Sequence, residues 1–173
     1  MSKNNYIDNE TFFSEVKDWK EQLNSAEAAG EKKPPVSEYI GKCFWDIAEN
    51  LSHKSNFCNY PFREDMVGDA VENCLMYAHN FDPEKSKNPF SYFTQITYYA
   101  FIRRIEKEKK QQFIKYKLVD QLDDEGAVRR WFNSNFGGTS RDEHEDESRS
   151  MADFFSLSKT DIDKFTPKKK EKK

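Results

Sequence analysis

Between residues 65 and 78, apolar side chains return at helical spacing. Met66, Val67, Ala70, Val71, Cys74, Leu75 and Ala78 form the stripe, and Asp65, Asp69 and Glu72 lie on other faces. The pattern breaks at Phe81-Asp82-Pro83 and resumes after Asn88. Asn88 is suited to cap a helix, and Pro89 then takes the first helical position, where its missing N–H costs nothing. Along this second helix Phe90, Phe93, Ile96, Thr97 and Ala100 lie near one stripe. Tyr92, Tyr98, Tyr99 and Phe101 point elsewhere, so aromatics cover more than one face. Arg103, Lys107 and Lys110 follow at helical spacing with Arg104 beside them. An acidic helix, a break, an aromatic helix and a basic end ask for a protein partner and a nucleic acid in one stretch.

The flanks are simpler. Residues 9 to 23 predict a helix with Phe12, Val16, Trp19 and Leu23 on one stripe, packed on the domain. Residues 24 to 36, NSAEAAGEKKPPV, read as a polar linker closed by two prolines. Ser37 caps the next predicted helix, which runs to about Ser52 with Ile40, Phe44, Ile47, Ala48 and Leu51 on its apolar face. A loop over 53 to 62 should tuck Phe57, Tyr60 and Phe62 under the core. Beyond Lys117, the positions Leu118, Val119, Leu122, Val128, Trp131 and Phe132 predict one or two short helices. Gly137-Gly138 and TSRDEHEDESRS then read as a charged linker. The apolar run MADFFSL, residues 151 to 157, has no core of its own to join and is expected to bind a partner. The expected divisions are 1–36, 37–117, 118–150 and 151–173.

Composition narrows the class. A chain of 173 residues with 36% hydrophobic and 34% charged residues supports one small core with solvated extensions. Six glycines, six prolines and few β-branched runs favour an all-α fold, a small helical bundle with charged extensions at both ends. No stretch approaches the roughly 18 apolar residues of a membrane span, and MSKNNYIDNE lacks the apolar core of a secretion signal, so a cytosolic chain is expected. Cys43, Cys58 and Cys74 make no C-x-x-C pair, and His53, His79 and His144 fall outside ligand spacing. The three cysteines read as structural free thiols, with neither metal nor cofactor expected. With no nucleophile–base pair and no glycine-rich phosphate loop, an enzyme is the least expected class. The net charge of −3 argues against a general DNA coat, so the clustering of Arg103 to Lys117 carries the charge argument instead.

Asp65-Met66-Val67, then Phe81-Asp82-Pro83, then Phe90-Ser91 and the aromatic run resemble region 2 of bacterial sigma factors. Through NPFSYFTQITYYAFIRRIEKEKK the chain is more closely similar to the late-transcription sigma factors of T-even-like bacteriophages. The resemblance is strong over about residues 60 to 115 and weaker back to 37 and into the tail. It implies a phage-encoded RNA polymerase subunit that recognises and melts a short AT-rich late promoter element in the cytoplasm of the bacterial host. Glu64, Asp65, Asp69 and Glu72 would then dock on the clamp coiled coil of the largest subunit of host core RNA polymerase; Gly68 stands where primary sigmas carry glutamine. Tyr92, Phe93, Tyr98 and Tyr99 would meet unpaired bases of promoter DNA, and Arg103, Arg104, Lys107 and Lys110 its phosphates. Primary sigmas place tandem tryptophans where this chain has Ile96-Thr97, so Phe93, Tyr98 or Tyr99 would substitute, and the residues do not choose among them. Late phage sigmas end in a short acidic-hydrophobic segment that inserts into the replication sliding clamp. Asp153-Phe154-Phe155 resembles it, which implies clamp contacts through Phe154, Phe155 and Leu157, together with a late-transcription coactivator; here SKTDIDKFTPKKKEKK follows. The alternatives are a stand-alone helical DNA-binding regulator and a structural protein that binds no DNA.

Overall fold

The computed structural model describes residues 6–122, 126–136, 152 and 154–167. Helix α1 spans Asn9–Ala29. It starts where the Asp8 carboxylate accepts the Thr11 N–H at 3.1 Å and stops at Gly30, whose φ of 70° lies in the left-handed region open to glycine. It therefore runs six residues past the predicted end, because Ala26, Ala28 and Ala29 favour helix and nothing breaks it before Gly30. Helix α2, Glu38–Ser52, is capped by the Ser37 hydroxyl, which accepts the Ile40 N–H and donates to Glu15 of α1. Helix α3, Arg63–Tyr77, runs into a 3-10 turn, Ala78–Asn80. Helix α4, Pro89–Leu122, is 34 residues long, and Asn88 Oδ1 accepts the Ser91 N–H at its start. Helices α5, Ala127–Phe136, and α6, Lys159–Phe165, follow among the described residues. The fold is all-α, with no strand among the described residues. No described helix is long and apolar enough to cross a membrane.

The chain divides into two compact units, Met1–Arg104 and Ile105–Lys173. The break thus falls inside α4 rather than at the expected boundaries after residues 36 and 117. Helix α1 belongs to the first unit because its stripe is part of that unit's core. The expected linker over residues 137–150 and the basic end over 168–173 lie outside the described residues.

In the first unit, Phe12, Val16, Trp19 and Leu23 of α1 pack with Ile40, Cys43, Phe44 and Ile47 of α2. Cys74, Ala78 and Phe81 close the cluster from the α3 side, and Phe93 enters from α4. Phe93 sits at the crossing point. Its ring lies 4.4 Å from Phe44, 5.7 Å from Phe12 and 6.0 Å from Phe81 between centroids. It is 0% exposed, which corrects its assignment as a base-contacting residue. Phe101, expected to point away from the core, is also buried, with its ring edge-on to Phe57 at 5.1 Å. Buried Thr97 spends its hydroxyl on the Phe93 carbonyl at 2.9 Å, so its burial leaves no donor unsatisfied. Cys43 and Cys74 are buried and Cys58 is exposed. Burial pushes the Cys74 thiol up to about 11 against the opposing Thr97 hydrogen bond, so it stays protonated and unreactive near neutral pH.

The second unit has its own core. Phe113 and Tyr116 of α4 pack with Ala152 and Leu157, and Val119, Phe155, Ile162 and Phe165 close around them. The apolar tail thus joins a core that its own chain provides, contrary to the expectation that it had none. Helix α6 begins with a reciprocal cap: the Ser158 hydroxyl accepts the Asp161 N–H, and Asp161 accepts the Ser158 N–H. Burial works to raise the Asp161 carboxyl, but the Ser158 hydrogen bond and the Lys109 ammonium prevail and hold it below the usual carboxylate range.

Because Phe93 bridges four segments, Phe93→Ala should lower the unfolding free energy by about 3–5 kcal/mol. Tyr99→Ala, on the exposed face of the same helix, should change it by less than about 0.5 kcal/mol. Urea denaturation followed by far-UV circular dichroism distinguishes the two.

Candidate nucleic-acid and protein-docking surfaces

The helix that buries Phe93 turns its next aromatics outward. Tyr98 and Tyr99 are 42% and 52% exposed, and their rings meet edge-on at 5.7 Å. Tyr98 is also braced from beneath by Phe57, edge-on at 5.7 Å. Both tyrosines border an open groove of about 570 Å³ with Leu51, Phe90, Thr94 and Gln95. Tyr99 also borders a second depression of about 260 Å³, formed with Tyr77, Asn80, Tyr92, Ile96 and Arg103. One exposed ring therefore stands between two hollows, each able to take a flat group against it. Tyr92, named with these residues from sequence, is half-buried with its ring edge-on to Phe81 at 5.3 Å. Burial, with a smaller contribution from Cys74, raises its hydroxyl pKa. It forms a wall of the smaller hollow rather than an open platform.

The groove residues Thr94 and Gln95 escaped the sequence reading, and Leu51 was expected only on the apolar face of α2. Thr94 and Gln95 precede Tyr98 by four and three positions on α4, a spacing that puts them on its face. Leu51 comes from the apolar face of α2, where it is half-buried, and no local pattern shows that it also lines a groove beside α4.

The charges pair in a way that the sequence did not show. Arg104 donates through Nη2 to Asp65 at 3.0 Å and through Nη1 to Asp69 at 3.1 Å. These carboxylates stand one turn apart on α3, and the guanidinium fork spans both. With its side chain 17% exposed, Arg104 is a brace between α3 and α4. This corrects its assignment to DNA phosphate. Asp65 and Asp69 are both engaged by Arg104, although the Asp65 side chain keeps 59% of its exposure; Glu64 and Glu72 are exposed on the same helix. Arg103 is exposed, donates to Asn73 Oδ1 at 2.6 Å and edges the smaller hollow. Lys107 and Lys110 are exposed on the part of α4 that belongs to the second unit.

The three expected tail contacts separate by burial. Phe154 is 60% exposed, Phe155 is half-buried with its ring edge-on to Tyr116 at 6.2 Å, and Leu157 is 3% exposed. Leu157 is therefore corrected to a core residue of the second unit. Asp153 lies outside the described residues. Among the described residues no three His, Cys, Asp or Glu side chains gather where a metal ion would be held. No protein-family model matches the sequence, and no curated protein is significantly similar to it.

Removing Arg104 leaves two carboxylates at i, i+4 with no cation between them. Arg104→Ala should cost about 1–2 kcal/mol of stability, above the range of a fully exposed pair because the cation is mostly covered. Arg104→Lys should recover only part, since one ammonium is a poor substitute for a two-armed fork. A double-mutant cycle with Asp69→Asn, measured by urea unfolding, should show coupling between the two sites; additive losses would separate them.

Proposed function

We propose that the chain is a sigma factor of the region 2 type, which binds host core RNA polymerase and melts a short AT-rich late promoter element of a bacteriophage. The observation that carries this reading is the exposed Tyr98–Tyr99 pair, in edge-on contact and beside two hollows, on the helix that buries Phe93. Strand opening removes the stacking partner of each extruded base and costs a few kcal/mol. A protein aromatic returns about 1–3 kcal/mol per base, so one or two platforms are of the size required. The burial of Phe93 supports Tyr98 and Tyr99 over it as the residues that replace the tandem tryptophans of primary sigmas. Arg103 on the hollow's edge supplies a phosphate contact that fixes register without reading sequence; Lys107 and Lys110, exposed in the second unit, are cations of the same kind.

Polymerase docking falls first to Glu64 and Glu72. A basic partner has to compete with Arg104 for Asp65 and Asp69, while the two glutamates are exposed on α3. The partners in this reading are the clamp coiled coil of the polymerase, promoter DNA, a phage sliding clamp reached through the tail, and a late-transcription coactivator. The place of action is the cytoplasm of the bacterial host.

The test is run-off transcription by host core polymerase from a late phage promoter, with and without the chain. Transcription should depend on the chain, and tight binding to duplex promoter without polymerase would favour a stand-alone regulator instead. Tyr98→Ala with Tyr99→Ala should reduce opening of linear promoter DNA about 10- to 100-fold, the equivalent of one or two lost stacking contacts. A pre-opened bubble should restore it. Glu64→Lys with Glu72→Lys should instead weaken polymerase binding, most at low salt, with helical content unchanged.

A further inference from the structure

We propose that the segment 154–166, with Ala152, is a latch: it closes on the distal part of α4, and a partner that takes its apolar side chains must first peel it away. The closed state has several independent supports. Leu157 and Ala152 are buried with Phe113 and Tyr116, and Phe165 packs on Phe113 at 5.8 Å. The Leu157 N–H donates to the Ala152 carbonyl at 2.9 Å, and the turn passes through Ser156 at φ 54°, a left-handed conformation that a serine adopts only when its surroundings hold it there. Lys109 Nζ grips both oxygens of Asp161, at 3.0 and 2.9 Å, and Lys164 pairs with Glu106 at 2.6 Å.

The same features make the latch reversible. Helix α6 has seven residues, well short of the roughly 12–15 at which an isolated helix begins to hold in water. Away from α4 it therefore unwinds, and Phe155, Leu157, Ile162 and Phe165 leave the stripe together. Those side chains cannot fill α4 and a partner's pocket at once. The apparent affinity of a partner is then reduced by the fraction of chains that are open. Phe154, 60% exposed, meets the partner first. The fitting partner is a protein with an apolar pocket for an aromatic residue. The sliding clamp named above is that partner only if the proposed function holds; the latch itself does not depend on it.

Amide hydrogen exchange of the full chain, alone in solution, tests the latch. Residues 157–165 should be protected in the unaltered chain. Lys109→Ala, which changes α4 and leaves the tail sequence intact, should speed their exchange about tenfold while amides of α2 and α3 keep their rates. Leu157→Ala should act in the same direction. Exchange at unstructured-peptide rates in the unaltered chain, or no response to either substitution, overturns the latch. A phage sliding clamp is then titrated in: tighter binding to the Lys109→Ala chain supports both latch and clamp. Unaltered affinity despite faster exchange overturns the competition. Absence of clamp binding by every form, with the exchange pattern intact, rejects the clamp and retains the latch.

Discussion

Phe93 is the contact on which the first unit depends. It is the one α4 side chain in close ring contact with α1, α2 and the segment after α3 together, through Phe12, Phe44 and Phe81. Burying it fixes the rotation of α4 about its own axis. At 3.6 residues per turn, Tyr98 and Tyr99 fall about 140° and 240° around the helix from it. They are driven outward as a pair by the residue that is driven inward. The exposed aromatic surface is thus a geometric consequence of the core, and the two cannot be adjusted separately.

Charge is arranged under a similar constraint. Acidic residues on α3 and basic residues on α4 suggest two surfaces for two partners, yet the central members of both sets face each other, with Arg104 between Asp65 and Asp69. A guanidinium that is mostly covered loses hydration, and two carboxylates one turn apart repel; the fork offsets both costs at once. Of these two sets, Glu64, Glu72 and Arg103 in this unit are exposed and lie outside the brace. A charge reversal at Asp65 or Asp69 would therefore disturb the brace as well as any docking, which makes the outer glutamates the cleaner probes.

The legible parts of the sequence were those where one element carries its own period. Helix α2 has Ile40, Phe44, Ile47 and Ala48 buried where the pattern put them, and its Ser37 cap is in place. Asn88-Pro89 likewise marked the start of α4. Helix α4 itself was ambiguous because aromatics occur all around it, and hydrophobicity does not distinguish an inward phenylalanine from an outward tyrosine. Arg104 was misread because its partners lie 35 and 39 positions earlier, at Asp69 and Asp65, and no local rule connects them. The tail failed for the same reason: its core is made by Phe113 and Tyr116, about 40 residues upstream, so an apolar run in polar surroundings looked orphaned.

One chemical regularity on α4 does separate the faces after the fact. Phe93, Phe101 and Phe113 are buried, whereas the exposed rings are Tyr98 and Tyr99, with half-buried Phe90 and Tyr92 between the classes. A phenol keeps its hydroxyl in water while its ring lies against protein or ligand, so an exposed tyrosine costs less in the unliganded state than an exposed phenylalanine. Tyr116 departs from the pattern, buried against the tail. That departure is the expected one for a side chain covered only while the latch is closed: when the segment leaves, the ring left facing water is one that carries a hydroxyl. The same residue choice that suits Tyr98 and Tyr99 to standing in solvent, as the proposed function asks of them, suits Tyr116 to losing its cover in the proposed latch.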